Sequence, residues 1–477
     1  MYILNIYMDH KCGVIGLWAN KKICISKCIK SLKMLQHRGR ESCGIAYINE
    51  TNKIKDFKGI GQISQVFNDN KLLELESNGI IGHVRYSTSG KSKNDINKAY
   101  DECQPITKSN FSLVHNGNIP HFKSLSMNFK NISYEISNDT HLVVSIIDDK
   151  LKSEYIEFEK NLEKILHELL DTFQCAFNLI ILTPKSIYAV RDKYGYRPLC
   201  IGKNSNSWIV ASESVALVEH SFIRSVSPGE IIKIDDNGLT SVMNQFINYK
   251  KCVFELIYFM NENSLIDNKM IYQFRYLCGQ ALALQENNYN ILNTNNYIVI
   301  GSPNSGIPGG KGYADKLGIP YAQYLRKKPD CGRTFILPNQ TERLKYLEKF
   351  DIDIDKLKGK NIILVDDSIV RGNTIKSLNK FLKEYALVNE LHIRVLSPPI
   401  KYPCYYGVDI PTSEELIINK MSIEEIVSST GVDSLIYIDI NEVKSILDST
   451  YSTEYKSEKF CYACFDGKYN NDIIHDF

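Results

Sequence analysis

The sequence predicts two domains of different class: an α+β, sandwich-like layered domain ending near residue 245, then a doubly wound α/β domain. Three observations lead there. The chain has 477 residues, and at roughly 100–200 residues per domain that allows about two to four domains. Its first half breaks into short β-rich pieces separated by Gly and Asn turns and by amphipathic stretches, the pattern of sheets with helices packed on them. Its second half alternates helical stretches with wholly apolar strands, as buried parallel strands require.

The strand-like pieces of the first half are Cys12–Ala19, Gly44–Ile48, Gly79–Thr88, Phe111–Ile119, Ala176–Thr183 and Ser186–Asp192. Ile25–Leu35 and Tyr155–Leu170 carry apolar residues at helical spacing. The character changes between residues 245 and 255. Beyond it, Asn268–Gln285 reads as a helix, Tyr297–Ser302 as a buried strand entering a Ser/Pro/Gly loop, and Ala314–Leu317 as one end of a helix. The clearest unit is a strand at Asn361–Asp367, a loop at Ser368–Thr374 and a helix at Ile375–Leu387.

Lysine plus arginine is 57 and aspartate plus glutamate is 55, a net charge of +2. That balance argues against a nucleic-acid or membrane surface. No apolar run reaches the roughly 18–20 residues of a membrane span. The N-terminus lacks a basic region and a small-residue cleavage site, so no secretory signal is read and the cytosol is the expected location. The 13 cysteines, odd in number and irregularly spread, make a poor disulfide framework. They point to a reducing compartment with thiol chemistry or a metal centre.

The apolar strand Ile362–Val365 ends in Asp366 and Asp367. A strand leading through a loop into a helix N-terminus aims backbone N–H groups at one point, an anion site. Gly372 permits close approach of the backbone, and Thr374 adds a hydroxyl donor. The paired acids suit ribose hydroxyls or a hydrated Mg²⁺. The plain alternative is a surface turn with two solvated aspartates.

The whole string Val365-Asp-Asp-Ser-Ile-Val-Arg-Gly-Asn-Thr374 resembles the 5-phosphoribosyl-1-pyrophosphate (PRPP) site of type I phosphoribosyltransferases. It is nearest the form VDDSIVRGTT of the amidophosphoribosyltransferases, with Asn373 the one departure. The resemblance implies PRPP binding by Asp366, Asp367, Ser368, Arg371, Gly372, Asn373 and Thr374. Arg326–Ile336 resembles the flexible loop that closes over PRPP, with Lys327 and Arg333 matching and Pro329 and Asp330 departing. Ser302-Pro-Asn-Ser-Gly306 resembles the loop near pyrophosphate, with Asn304 in place of Asp. It implies a Mg²⁺ ion near Ser305, Asp366 and Asp367.

In the first half, Arg38–Ala46, Gly82–Gly90, Cys103–Ile106, His115–Ile119 and Ser137–Thr140 follow Cys12 in order. Alone, Cys12 is a small residue opening a strand, Asn116-Gly117 is a common turn, and Arg85 and Asp139 are surface charges. As a series they resemble the N-terminal-nucleophile (Ntn) glutamine amidotransferases over roughly residues 12–245, which implies a four-layer αββα glutaminase domain. A thiolate attacks the glutamine amide, a free α-amino group near neutral pKa serves as base, and an oxyanion needs donors. The resemblance implies Cys12 as nucleophile and Asn116 with the Gly117 N–H as oxyanion donors. It implies Arg85 on the glutamine α-carboxylate, Asp139 on its α-ammonium, and Arg38 near the thiol. Cys12 is the twelfth residue, so residues 1–11 are expected to be a propeptide.

Cys461-Tyr-Ala-Cys464 alone fits zinc, redox or no role. With the contexts of Cys252 and Cys404 it resembles the cluster-bearing, propeptide-bearing subgroup of amidophosphoribosyltransferases, which implies a 4Fe–4S cluster on four thiolates. Zinc is the alternative. The other eight cysteines read as packing, with Cys103 and Cys331 lying inside motifs.

The expected organisation is therefore a propeptide at 1–11, an Ntn glutaminase domain at 12–245, and a type I phosphoribosyltransferase domain at 246–477 whose C-terminal segment binds the cluster. The family's reaction converts glutamine, PRPP and water to 5-phosphoribosylamine, glutamate and pyrophosphate, with ammonia passed from one site to the other. One Mg²⁺ and one cluster per subunit, a homotetramer and inhibition by purine nucleotides are further implications. Two rivals remain at this point: another Ntn amidotransferase such as a glucosamine-phosphate synthase, and a non-catalytic PRPP-sensing regulator.

Overall fold

The computed structural model describes residues 12–86, 96–120, 122–127, 129, 136–153, 157–243, 249–288, 296–328, 350–408, 410 and 412–469. Two compact units emerge. Among the described residues, one is Cys12–Cys252 with the return segment Tyr405–Val408 and Tyr469; the other is Val253–Cys404 with Ile410–Lys468. Among the described residues, no helix is long and apolar enough to cross a membrane.

The strands of the first unit begin with β1 (Gly13–Cys24), β2 (Ser42–Ile48), β3 (Ile54–Ile60), β4 (Glu76–Arg85), β5 (Ile106–Thr107), β6 (Ser112–Gly117) and β7 (Phe177–Leu182). They continue with β8 (Ile187–Arg191), β9 (Cys200–Lys203), β10 (Ser207–Ala211), β11 (Ser221–Ser225), β12 (Ile231–Asp235), β13 (Gly238–Met243) and the short β14 (Lys251–Cys252). Seven form one sheet in the order β11-β9-β10-β1-β4-β2-β3, and six form a second in the order β13-β12-β8-β7-β6-β5.

The period-2 alternation of a strand decides which layer each side chain enters. On β1, Val14 and Trp18 face the core between the sheets, while Ile15, Leu17 and Ala19 face the opposite side. On β7, Ile180 and Leu182 enter the same inter-sheet core, and Leu179 and Ile181 enter the outer one. Helix Ile25–Lys33 covers the outer face of the first sheet with Ile25, Cys28, Ile29 and Leu32. Helix Phe158–Thr172 covers the second with Leu162, Ile165, Leu166 and Leu169. Helix, sheet, sheet, helix is the four-layer αββα arrangement expected.

The second unit opens with the short strands β15 (Leu265–Ile266) and β16 (Lys269–Met270). Its main sheet contains β17 (Tyr297–Gly301); β18 (Leu325–Lys327) and β19 (Phe350–Ile352) form an antiparallel pair beside it in sequence. The main sheet continues with β20 (Asn361–Asp366), β21 (Glu390–Val395) and β22 (Ser434–Tyr437), all parallel in the order β17-β20-β21-β22. Tyr321 makes a parallel bridge to Val299. Val299 also pairs with Ile363, so successive crossovers run to opposite sides of β17. The carboxyl ends of β17 and β20 therefore form the topological switch point, where such sheets bind ligands. Helices Ile271–Leu284, Ile307–Leu317, Asn373–Glu384 and Ile440–Thr450 accompany the sheet.

Boundaries shift modestly from expectation. The helix read at Ile375–Leu387 is Asn373–Glu384, and the one read at Tyr155–Leu170 is Phe158–Thr172. Ala314–Leu317 proves to be the last turn of Ile307–Leu317. Its glycines hid it from propensity, but they let two helices touch: a Cβ on Gly279 would lie 1.9 Å from the Gly309 carbonyl oxygen.

Candidate active sites

In the first unit, Gly13 on β1 lies opposite Val84 on β4. Cys12 and Arg85 therefore leave the sheet at the same end. Arg38 is buried and reaches the same point: its Nε donates to the Cys12 carbonyl oxygen at 2.8 Å, and its Nη1 donates to Glu213 Oε1 at 2.5 Å. Burial pushes the Cys12 thiol up from its ordinary value. A hydrogen bond from the Tyr86 backbone and the charges of Arg85 and Arg197 oppose that, and Asp139 adds to it. Four groups of the site thus act on one sulfur.

Asn116 and Gly117 end β6, paired with Asn178 and Phe177 on β7. The hairpin-turn reading of this dipeptide is therefore wrong: both residues end a strand that is paired at this point with β7. Asn116 is buried, and its Nδ2 donates to Ser212 Oγ at 3.3 Å. Gly117 has no room for a side chain, because a Cβ would lie 2.2 Å from the Ala176 carbonyl oxygen and 2.7 Å from His115 Nε2.

Asp139 opens helix Asp139–Ser153. Its Oδ2 accepts from the Ile119 N–H at 3.0 Å and its Oδ1 from the Thr140 N–H at 2.8 Å, which fixes the carboxylate beside the end of β6. Arg85 Nη2 donates to the buried Glu102 Oε2 at 2.5 Å. A guanidinium carries five donors in a planar fork, so this pair is compatible with a grip on a second carboxylate. His83 Nε2 lies 3.1 Å from the His115 carbonyl oxygen, which can only accept, so that nitrogen carries the proton. Burial, then the Arg85 charge, push His83 down to about 3.

Sequence reasoning missed Glu102, Ser212 and Glu213. The available signal was weak: an acid directly before Cys103, and a Ser-Glu pair directly after the apolar run Ser207–Ala211.

In the second unit, β17 and β20 deliver two loops to the switch point. Ser305 Oγ donates to Asp367 Oδ2, and Ser368 Oγ donates to Asp367 Oδ1 at 2.7 Å. The Asp367 N–H donates to Asp366 Oδ1 at 3.0 Å. Burial, then the neighbouring Asp367 carboxylate, push Asp366 well above the usual carboxylate range. Ser305, Asp366 and Asp367 thus gather hard oxygen donors, the set that suits Mg²⁺. Gly372, at φ +73°, caps helix Asn373–Glu384, placing Asn373 and Thr374 in its first turn. Arg371 Nε donates to Glu415 Oε2 at 2.8 Å. Lys327 ends β18 and is exposed. Arg333, Pro329 and Asp330 lie outside the described residues, as do residues 1–11 and Cys331.

Cys404, Cys461 and Cys464 belong to the second unit. The Lys401 and Tyr402 N–H groups donate to the Cys464 carbonyl oxygen at 3.0 and 3.1 Å, so the chain entering Cys404 lies against the Cys461–Cys464 turn. Cys252 ends β14 of the first unit. Elsewhere Cys28, Cys43, Cys103, Cys175, Cys200 and Cys278 are buried, and burial pushes Cys28 and Cys43 up to about 12, as expected of packing thiols.

Comparison with known proteins agrees with both folds. A family model described as a glutamine amidotransferase domain matches residues 92–219, and one described as a phosphoribosyl transferase domain matches residues 272–397. Amidophosphoribosyltransferase 1, chloroplastic, of Arabidopsis thaliana is 37% identical over 473 residues, covering 96% of this chain and 78% of that protein. The amidophosphoribosyltransferase of Mycobacterium leprae is 35% identical over 479 residues, covering 96% and 82%. Among solved structures, glutamine PRPP amidotransferase from B. subtilis, complexed with ADP and GMP, matches with a TM-score of 0.82 and 33% identity over 98% of each chain. A structure described as the allosteric regulatory enzyme of purine biosynthesis gives 0.83 and 32%, covering 98% of this chain and 97% of that one. A paired glutaminase and phosphoribosyltransferase fold, shared across nearly the whole length at this identity, shows that the chain belongs to the amidophosphoribosyltransferase family.

Proposed function

We propose a division of labour for the family's reaction, the glutamine-dependent amination of PRPP in purine biosynthesis, with Cys12 as the nucleophile. Cys12 Sγ attacks the glutamine Cδ; the tetrahedral oxyanion takes hydrogen bonds from Asn116 Nδ2 and the Gly117 N–H. Ammonia leaves as the thioester forms, and water then releases glutamate and the thiol. Arg85 holds the substrate α-carboxylate and Asp139 its α-ammonium. Ammonia then displaces pyrophosphate from PRPP held by Asp366, Asp367, Ser368, Arg371, Gly372, Asn373, Thr374, Lys327 and Arg333. The observation that carries the reading is the convergence on Cys12: Arg38 on its carbonyl, and Arg85, Asp139 and Arg197 acting on its thiol. A Cys12→Ala variant should lose glutamine use and keep ammonia-dependent amination of PRPP. Equal loss of both would refute the division.

Mg²⁺ on Ser305, Asp366 and Asp367 would neutralise the leaving pyrophosphate. Residues 1–11 we read as a propeptide, because the α-amino group of Cys12 can act as base only once it is exposed. Intact mass of active protein decides: a fully active chain beginning at Met1 sinks this.

We place a 4Fe–4S cluster on Cys252, Cys404, Cys461 and Cys464, the soft thiolate set such a cluster takes. Anaerobic protein should contain about four irons per chain; colourless protein with stoichiometric zinc refutes it. We further propose a cytosolic homotetramer inhibited by purine nucleotides. The ADP and GMP bound to the B. subtilis relative support the nucleotide part.

A further inference from the structure

We propose that the dipeptide Ser212-Glu213 is the positioning element of the glutaminase site, with Ser212 orienting the oxyanion amide of Asn116 and Glu213 holding Arg38 on the nucleophile's carbonyl. The inference rests on the roles given above to Cys12 and Asn116.

β10 pairs with β1 as far as Ala211 opposite Ile15. Ser212 extends that contact by other means. Its N–H donates to the Val14 carbonyl oxygen at 3.0 Å, and its Oγ accepts from the Val14 N–H at 3.0 Å. The same Oγ accepts from Asn116 Nδ2 at 3.3 Å. Ser212 is wholly buried, so water does not compete for these bonds. One hydroxyl therefore ties the strand that starts at the nucleophile to the end of β6, which belongs to the other sheet. A primary amide has two N–H donors on one plane. Fixing one on Ser212 fixes the plane, and with it the direction in which the second is aimed.

Glu213 has extended backbone, φ −139° and ψ 150°, so its side chain leaves on the side opposite that of Ser212. There its buried Oε1 accepts from Arg38 Nη1 at 2.5 Å and from His37 Nε2 at 2.9 Å. Arg38 in turn donates to the Cys12 carbonyl oxygen at 2.8 Å. Two adjacent residues thus set both halves of the reacting geometry. Neither touches the reacting atoms, so both are positioning residues. Small misplacements in such a site cost rate more than affinity.

The test uses full-length enzyme carrying S212A, S212T, N116A, S212A/N116A and E213Q. Glutamine-dependent and ammonia-dependent amination of PRPP are measured, with Cys12 labelling by a diazoketone glutamine analogue. S212A should lower the glutamine kcat by roughly 10- to 100-fold with KM little changed. Ammonia-dependent amination should be unaffected, and S212T should recover much of the loss. S212A/N116A should be no slower than N116A, because Ser212 acts through Asn116. E213Q should slow Cys12 labelling by about tenfold. If N116A is inactive with glutamine while S212A is normal, or their losses multiply, the inference is overturned and the site reading survives. If N116A is fully active with glutamine, the site reading itself falls. Equal loss of glutamine and ammonia activity in S212A would mark a merely structural role and also overturn it.

Discussion

Arg38 bridges the nucleophile and a buried carboxylate: its Nε sits 2.8 Å from the Cys12 carbonyl oxygen, and its Nη1 sits 2.5 Å from Glu213 Oε1. The planar fork makes both bonds at once, which a lysine ammonium on a flexible stem does not reproduce. Arg38→Lys keeps a cation beside the buried Glu213, whereas Arg38→Ala removes it and leaves the His37 contact, at a cost of up to about 3–5 kcal/mol. We expect Arg38→Lys to fold, to lose glutamine-dependent turnover by roughly 10- to 100-fold, and to keep ammonia-dependent turnover. Steady-state rates with the two nitrogen donors measure this, and an unchanged glutamine rate contradicts it.

Gly117 is bounded by backbone. The Cβ of an alanine there would meet the Ala176 carbonyl oxygen at 2.2 Å and the Phe177 Cα at 2.7 Å, neither of which can turn away as a side chain can. Gly117→Ala should cost roughly 1–3 kcal/mol. It should also push the end of β6, and the oxyanion donors with it, out of place. Denaturant titration together with glutaminase assay tests both parts; a variant of normal stability and activity contradicts them.

Acid should destabilise the first unit through His83. Burial holds its folded pKa at about 3, while in the unfolded chain it is about 6.5. The unfolded state therefore binds the extra proton, so stability is complete above about 6.5 and falls as pH drops towards 3. The limiting loss is roughly 5 kcal/mol. His83→Gln should flatten the decline of melting temperature between those limits. A wild-type and variant pair with parallel pH profiles would count against this.

Gly372 sits at φ +73°, and a Cβ there would lie 2.4 Å from Ile417 Cδ1. The backbone term costs an alanine about 1–2 kcal/mol; the steric term is relieved by shortening Ile417. Gly372→Ala should raise the KM for PRPP several-fold, and adding Ile417→Ala should restore only part of it. Initial-rate kinetics decide, and an unchanged KM in the single variant refutes the role of this turn.

Much of the fold was legible because burial imposes a period. The alternation in Phe177–Leu182 and the 3.6-residue spacing in Ile25–Lys33 show in any single sequence. Helix Ile307–Leu317 did not show, because Pro308, Gly309, Gly310 and Gly312 are poor helix formers. Its stability comes from close contact with helix Ile271–Leu284, where Gly279 meets Gly309 and Gly312 meets the Tyr276 carbonyl. Asn116-Gly117 reads locally as a turn and is a strand, because its ladder partners on β7 lie some sixty residues away in sequence.

By itself the sequence determined the two fold classes, the order of the motifs and the chemical types they bring: a thiol, paired acids, a glycine cap, a set of cysteines. Local spacing and side-chain chemistry suffice for those. Only the tertiary structure decided who holds whom. Arg38 finds Glu213 across 175 positions, Arg85 finds Glu102 across 17, and Asn116 finds Ser212 across 96. Each pairing exists because a buried polar group must be satisfied wherever the fold brings a partner within reach, and no local pattern records that.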